Sequence, residues 1–145
     1  MSCQVFVFSR DRIRGGILKR TLQDNKIKLL LVPKIIDVKD TLSSHDPRIV
    51  ILDMHSCFKK EVTFLINLVF SMKDSAVILL GDSATLENFS TDTLLKPLFF
   101  PDPFDPEIIA AKSKEILALN IHDAGNRKED AGNFENDLKQ YLKLE

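Results

Sequence analysis

The sequence predicts an α/β fold, a parallel sheet covered by helices on both faces as a three-layer α/β/α sandwich. Three observations carry this. Short apolar runs alternate with longer segments of helical pattern, the order produced by right-handed strand–helix–strand crossovers. The central run, "RIVILD" (48–53), is apolar on consecutive residues, as strands buried on both faces are. The 145 residues, 44% hydrophobic and 28% charged, suit one domain with a core of its own.

The strands are read in "QVFVF" (4–8), "IKLLLV" (27–32), "RIVILD" (48–53), "AVILL" (76–80) and "PLFF" (97–100). Between them, Asp11–Gln23, Ile35–Ser44, Phe58–Met72 and Ala84–Leu95 each read as a helix, and Pro106–Asn120 supplies a fifth. The last has a clean start, with Asp105 as N-cap and Pro106 at the first helical position. Gly15 and Gly16 interrupt the first helix, where each costs roughly 1 kcal/mol relative to Ala. Close packing of that helix explains them better than a phosphate loop. Such a loop needs glycines directly after the strand, then a lysine and a hydroxyl, and "SRDRIRGGILKR" lacks that order. In the third helix Phe58, Val62, Leu65, Ile66 and Val69 form the core stripe, and Phe64 points off it.

After Asn120 the composition changes. "HDAGNRKEDAGN" is polar with two glycines and reads as a linker. "FENDLKQYLK" then places Phe134, Leu138, Tyr141 and Leu142 on one helical face. So short a helix is marginal alone, so the stripe needs a docking surface on its own domain or on a second chain. The expected division is a domain over 1–120, then a linker and short amphipathic helix over 121–145.

Composition narrows the function. A net charge of -1 does not steer the chain to nucleic acid or an anionic membrane. The longest apolar stretch, "VTFLINLVF", falls far short of a bilayer span, and no secretory signal opens the chain. Cys3 and Cys57, the two cysteines, then read as reduced thiols of a cytoplasmic protein. No histidine–acid pairing surrounds Cys57, so it reads as a bystander and not a nucleophile. With no nucleophile–base pair and no cofactor loop, neither an enzyme nor a cofactor is expected. Asp53 stands apart, because it ends a buried strand at the carboxyl edge, where open parallel sheets build their sites.

The segment "PFDPEII" (103–109) and the spacing around it carry a resemblance. Asp53 is followed 28 residues later by Gly81 and, after 21 more, by Asp102. Over roughly residues 3–119 the chain resembles the receiver domain of bacterial response regulators. The resemblance implies a flavodoxin-like, doubly wound sheet of five strands in order 2-1-3-4-5. It also implies a cis peptide before Pro103, and a carboxyl edge gathering Ser9, Arg10, Asp53, Gly81 and Asp102. In that family the carboxylate at the Asp53 position accepts a phosphoryl group. An acidic pair after strand one holds Mg²⁺, and a hydroxyl and a lysine receive the phosphoryl oxygens, so the chemistry is positioning and charge neutralisation.

This chain departs at nearly every part. The acidic pair falls on Ser9 and Arg10, the hydroxyl on Gly81 and the lysine on Asp102; only Asp53 matches. Sliding Lys96-Pro97 into the lysine role would break the "PFDPE" match. Asp11, Met54, His55, Asp82 and Pro103 neighbour the site, and Asp11 and Asp82 could partly rebuild an acidic one. Arg10 is expected to offer Asp53 or Asp102 a charge-assisted contact where Mg²⁺ would sit, and Arg10→Ala to cost stability. The reading is a degenerate receiver in two-component or phosphorelay signalling, without metal, that binds a pathway protein or a second copy of itself. The alternative is a receiver still accepting phosphate at Asp53 with a rearranged Mg²⁺ site. "DMHSCF" is also similar to the Asp-x-His-x-x-Gly motif of cobalamin-binding domains. Phe58 replaces its glycine and it follows the third strand, so His55 reads as a loop histidine.

Overall fold

The computed structural model describes residues 3–72, 74–84 and 98–129. Five strands, β1 (Val5–Phe8), β2 (Leu29–Val32), β3 (Ile49–Asp53), β4 (Ala76–Gly81) and β5 (Leu98–Pro101), form one sheet in order β2-β1-β3-β4-β5. Every pairing is parallel, with Phe8 beside Val32 and Leu52, and Asp53 beside Leu80. The strand order and the parallel pairing are those expected. The helices are α1 (Arg12–Asp24), α2 (Val38–His45), α3 (Lys59–Ser71) and α4 (Pro106–Glu129).

Successive side chains of a strand point to opposite faces, and this divides the core in two. Val5, Val7, Ile49, Ile51, Ile78 and Leu80 pack beneath α1 and α4 with Leu18, Leu22, Ile109 and Ala110. Phe6, Phe8, Val50, Leu52 and Leu79 pack beneath α2 and α3 with Val38, Leu65 and Val69. Both faces of β1 and β3 are therefore buried along their full length, which explains the unbroken apolar runs.

Several boundaries differ from the sequence expectation, each for a local reason. Asp11 is not the first helical residue but the N-cap of α1, its Oδ1 accepting from the amides of Ile13 (2.8 Å) and Arg14 (3.2 Å). The second helix opens with a 3₁₀ turn over Ile35–Asp37 before α2 begins. Phe58 leaves the core stripe: it caps α3 and is 71% exposed. Its amide donates to Glu61 Oε1 at 2.8 Å, which satisfies one free N–H of the first turn. Asp105 accepts from the Glu107 amide as the cap of α4, but the helix runs on to Glu129, nine residues past its expected end. One interior glycine costs only about 1 kcal/mol, so Gly125 does not stop it. The helix expected over Ala84–Leu95 lies outside the described residues after its first residue, as does the amphipathic segment at 134–142.

The two glycines of α1 separate in role. A Cβ on Gly15 would meet Ser9 Cβ at 3.2 Å and Leu31 Cδ1 at 3.3 Å, whereas one on Gly16 would meet nothing within 4 Å. Gly15 thus lets α1 lie close against β1 and β2, and that approach sets where the neighbouring Arg14 can reach. Gly16 has no such task. Gly16→Ala is expected to raise the unfolding free energy by about 0.5–1 kcal/mol by improving helix propensity, read from the urea midpoint; a loss of stability would show a packing role at this position.

Candidate functional site

The carboxyl edge is built around Asp53, the last residue of β3, which is fully buried. Four donors converge on its carboxylate. Oδ2 accepts from Ser9 Oγ (2.8 Å) and Arg14 Nε (2.8 Å). Oδ1 accepts from Arg14 Nη2 (2.8 Å) and the His55 amide (3.1 Å). A carboxylate has about four lone-pair positions, so this one is saturated.

Arg14 therefore occupies the centre of the site. Its guanidinium grips Asp53 through two nitrogens, and Nη2 also reaches Asp102 Oδ1 at 2.8 Å. The Phe104 ring covers it, 4.8 Å from the guanidinium carbon to the ring centre, where the ring quadrupole adds attraction. Burial alone would disfavour the charged guanidinium, but the hydrogen bonds and charges of Asp53 and Asp102 outweigh it and raise the Arg14 pKa. This is the planar, forked geometry that suits arginine and not lysine.

Arg10 does not make the contact expected of it. It turns outward to Glu61 Oε1 (2.6 Å) and the Ser56 carbonyl (3.3 Å), with its guanidinium 5.5 Å from the Phe58 ring centre. The reason is its position. Arg10 lies in the loop before α1, one residue ahead of the cap, whereas Arg14 precedes the buried Leu18 by four residues and Leu22 by eight. Arg14 thus shares the core-facing stripe of α1. A charged residue on a core stripe must find a partner, and that was the available signal for the residue missed.

The other expected site residues fall around this centre. Ser9 is buried and donates to Asp53. Gly81 ends β4 and its carbonyl accepts from the Asp102 amide at 2.8 Å, and the Asp102–Pro103 peptide is cis. Met54 turns away into the α2–α3 core. His55 lies between two carboxylates, Nε2 3.6 Å from Asp11 Oδ2 and Nδ1 4.0 Å from Asp102 Oδ2. The Arg14 amide, helped by that of Ile13, holds the Asp11 carboxyl below its usual pKa. Asp82 follows β4 on the surface. Burial, with the Glu61 charge, pushes the Cys57 thiol up to about 11, so it is not a ready nucleophile.

Comparison with known proteins follows the same line. No protein-family model matches the chain, and no curated protein matches it either. Solved structures do. One, described as a transiently phosphorylated "switch" in bacterial signal transduction, aligns with a TM-score of 0.70 at 18% identity, over 81% of this chain and 97% of that one. The signal receiver domain of a response regulator from Bermanella marisrubri gives 0.66 at 16% identity, over 81% and 99%. The receiver domain of the Francisella response regulator 1452 gives 0.66 at 13% identity, over 82% and 99%. The fold is that of receiver domains.

The receiver fold raises the matter of magnesium, and the residues present do not fit it. Mg²⁺ requires oxygen ligands in near-octahedral array. Here the Asp53 oxygens are filled, Asp11 Oδ1 caps α1, Ser9 Oγ donates to Asp53, and a resident guanidinium lies between Asp53 and Asp102. Among the described residues no group of three His, Cys, Asp or Glu is arranged to hold a metal ion. No helix among them is long and apolar enough to cross a membrane.

Proposed function

We propose that this chain is a receiver-like signalling module of the two-component type whose acceptor position is closed by its own arginine. It acts in the cytoplasm by binding protein, either a pathway partner or a second copy, and is not an enzyme. The observation that carries this is the saturated Asp53 carboxylate, with both oxygens held by Arg14, Ser9 and the His55 amide.

The chemistry supports it in three steps. An attacking carboxylate oxygen needs a free lone pair in line with the phosphorus, and here each is engaged. The resident cation is tethered to α1, so it cannot bridge acceptor and phosphoryl donor as a metal does. A phosphoryl group on Asp53 would also add negative charge beside Asp102, where Arg14 already divides its one positive charge between two carboxylates. The test is incubation with acetyl phosphate and Mg²⁺, read by intact mass. The mass is expected to stay unchanged. A gain of one phosphoryl group that is absent in Asp53→Asn would favour the alternative, a receiver active through a rearranged site.

A further inference from the structure

The face of the domain away from Arg14 carries an apolar groove between α2 and α3. Its upper part, a cavity of about 310 Å³, is lined by Ile35, Ile36, Lys60, Glu61 and Phe64. Its lower part, about 240 Å³, is lined by Lys39, Phe64, Asn67, Leu68 and Ser71. Ile36 is 79% and Phe64 38% exposed. On α3 the lining residues fall at 60, 64, 67, 68 and 71, the repeat of one helical face, so the groove runs along about three turns.

We propose that this groove receives the amphipathic segment Phe134–Leu142 of a second copy of the chain. This names a partner for the binding role proposed above and rests on that reading for binding as the output. Three arguments select this occupant. The first is pattern. Phe134, Leu138, Tyr141 and Leu142 recur at i, i+4, i+7 and i+8, the anchor spacing of a helix laid in a groove, over a length of about 12 Å.

The second is charge. Lys39 and Lys60 line the groove, and its lining acid, Glu61, is neutralised by Arg10 at 2.6 Å. Among exposed neighbours of the lining residues Lys34 and Lys59 are offset by Asp37 and Asp40, so the positive surplus is the two lining lysines. The segment Phe134–Leu142 has the opposite sign, with Glu135 and Asp137 against the single Lys139. Complementary potentials of this kind set register and speed encounter.

The third is reach, which separates a second copy from the chain's own groove. α4 packs on the α1 face of the sheet, opposite the groove. Its 24 residues span about 36 Å, while strands of four to six residues span at most about 20 Å. Its end therefore lies about 15 Å past the sheet, and the two helix layers are about 20 Å apart. From Glu129 to Phe134 the chain can stretch at most about 18 Å, short of that combined path. Two segments in two grooves make an isologous pair. With two aromatic and two leucine side chains each, they would bury about 2,000 Å² in total, enough for a stable dimer.

The test uses the full chain, by light scattering over a concentration series and by hydrogen exchange of the α3 amides. A dimer is expected, reduced at least tenfold in affinity by Phe64→Glu and by Leu138→Glu. Leu138→Glu is also expected to remove protection from the amides around 60–68. Far-UV circular dichroism checks folding, and Ile36→Asp replaces Phe64→Glu if the latter does not fold. A monomeric full chain overturns the proposal, and if its α3 protection still depends on Leu138 the segment docks on its own domain. A dimer that survives the groove variants overturns it too, since the segments would then pair with each other. So does α3 protection unchanged by Leu138→Glu. None of these outcomes alters the acetyl phosphate result, so the two proposals fail separately.

Discussion

Arg14→Met is expected to lower the unfolding free energy by about 3–5 kcal/mol, because it strands a fully buried carboxylate. Asp53 would keep Ser9 Oγ and the His55 amide but lose both arms of the guanidinium. In a chain of this size about 3 °C accompanies each kcal/mol, so the melting temperature should fall by roughly 10–15 °C. The urea midpoint should move with an unchanged slope. Asp53→Asn in the same background should recover much of the loss, since an amide tolerates burial far better than an unpaired charge. Arg10→Ala gives the contrast. Its partner Glu61 lies at the rim and Arg10 itself is 36% exposed, so the change should cost less than about 1 kcal/mol. Equal losses at the two positions would mean that Arg14 is not what holds the edge together.

That contrast also marks where the sequence was legible. The strands could be read because burial on both faces leaves a run of apolar residues with no other explanation, as in Ile49–Leu52. Strand order was legible only with the resemblance, since periodicity does not say which strands adjoin. Asp53 stands out because it ends such a run at the carboxyl edge, where open parallel sheets build their sites. The donor was harder to find. Arg10 follows β1 directly and replaces an acid of the family pattern, but spacing along the chain says nothing about which way a loop side chain turns. Asp11 resolves this by capping α1, which sets the helical phase. Once the phase is set, Arg14 is on the inward stripe and Arg10 is not. Phe58 differs from expectation for the same reason: one residue outside the helix, the stripe rule no longer applies.

If the closure proposed for this site is made by side-chain chemistry and not backbone geometry, restoring that chemistry should open it. The chain carrying Ser9→Asp, Arg10→Asp, Arg14→Met and Asp102→Lys is expected to gain one phosphoryl group from acetyl phosphate and Mg²⁺. The pair of acids would supply oxygen ligands beside Asp53, and the lysine would return a cation to the end of β5. Removing Arg14 would free the Asp53 lone pairs now taken by Nε and Nη2. Each part is needed for a different reason, so Arg14→Met alone should remain unphosphorylated: it frees the acceptor but brings no ligands for the metal. The gain should vanish without Mg²⁺ and in the Asp53→Asn version. Gly81 offers no hydroxyl, so transfer is expected to be slow, and incubation times must allow for it. Circular dichroism and the urea midpoint establish that the four-fold variant is folded. A folded variant that takes no phosphoryl group would place any block in the backbone around Gly81 and Pro103, and the closure proposed for Arg14 would not be what decides phosphorylation.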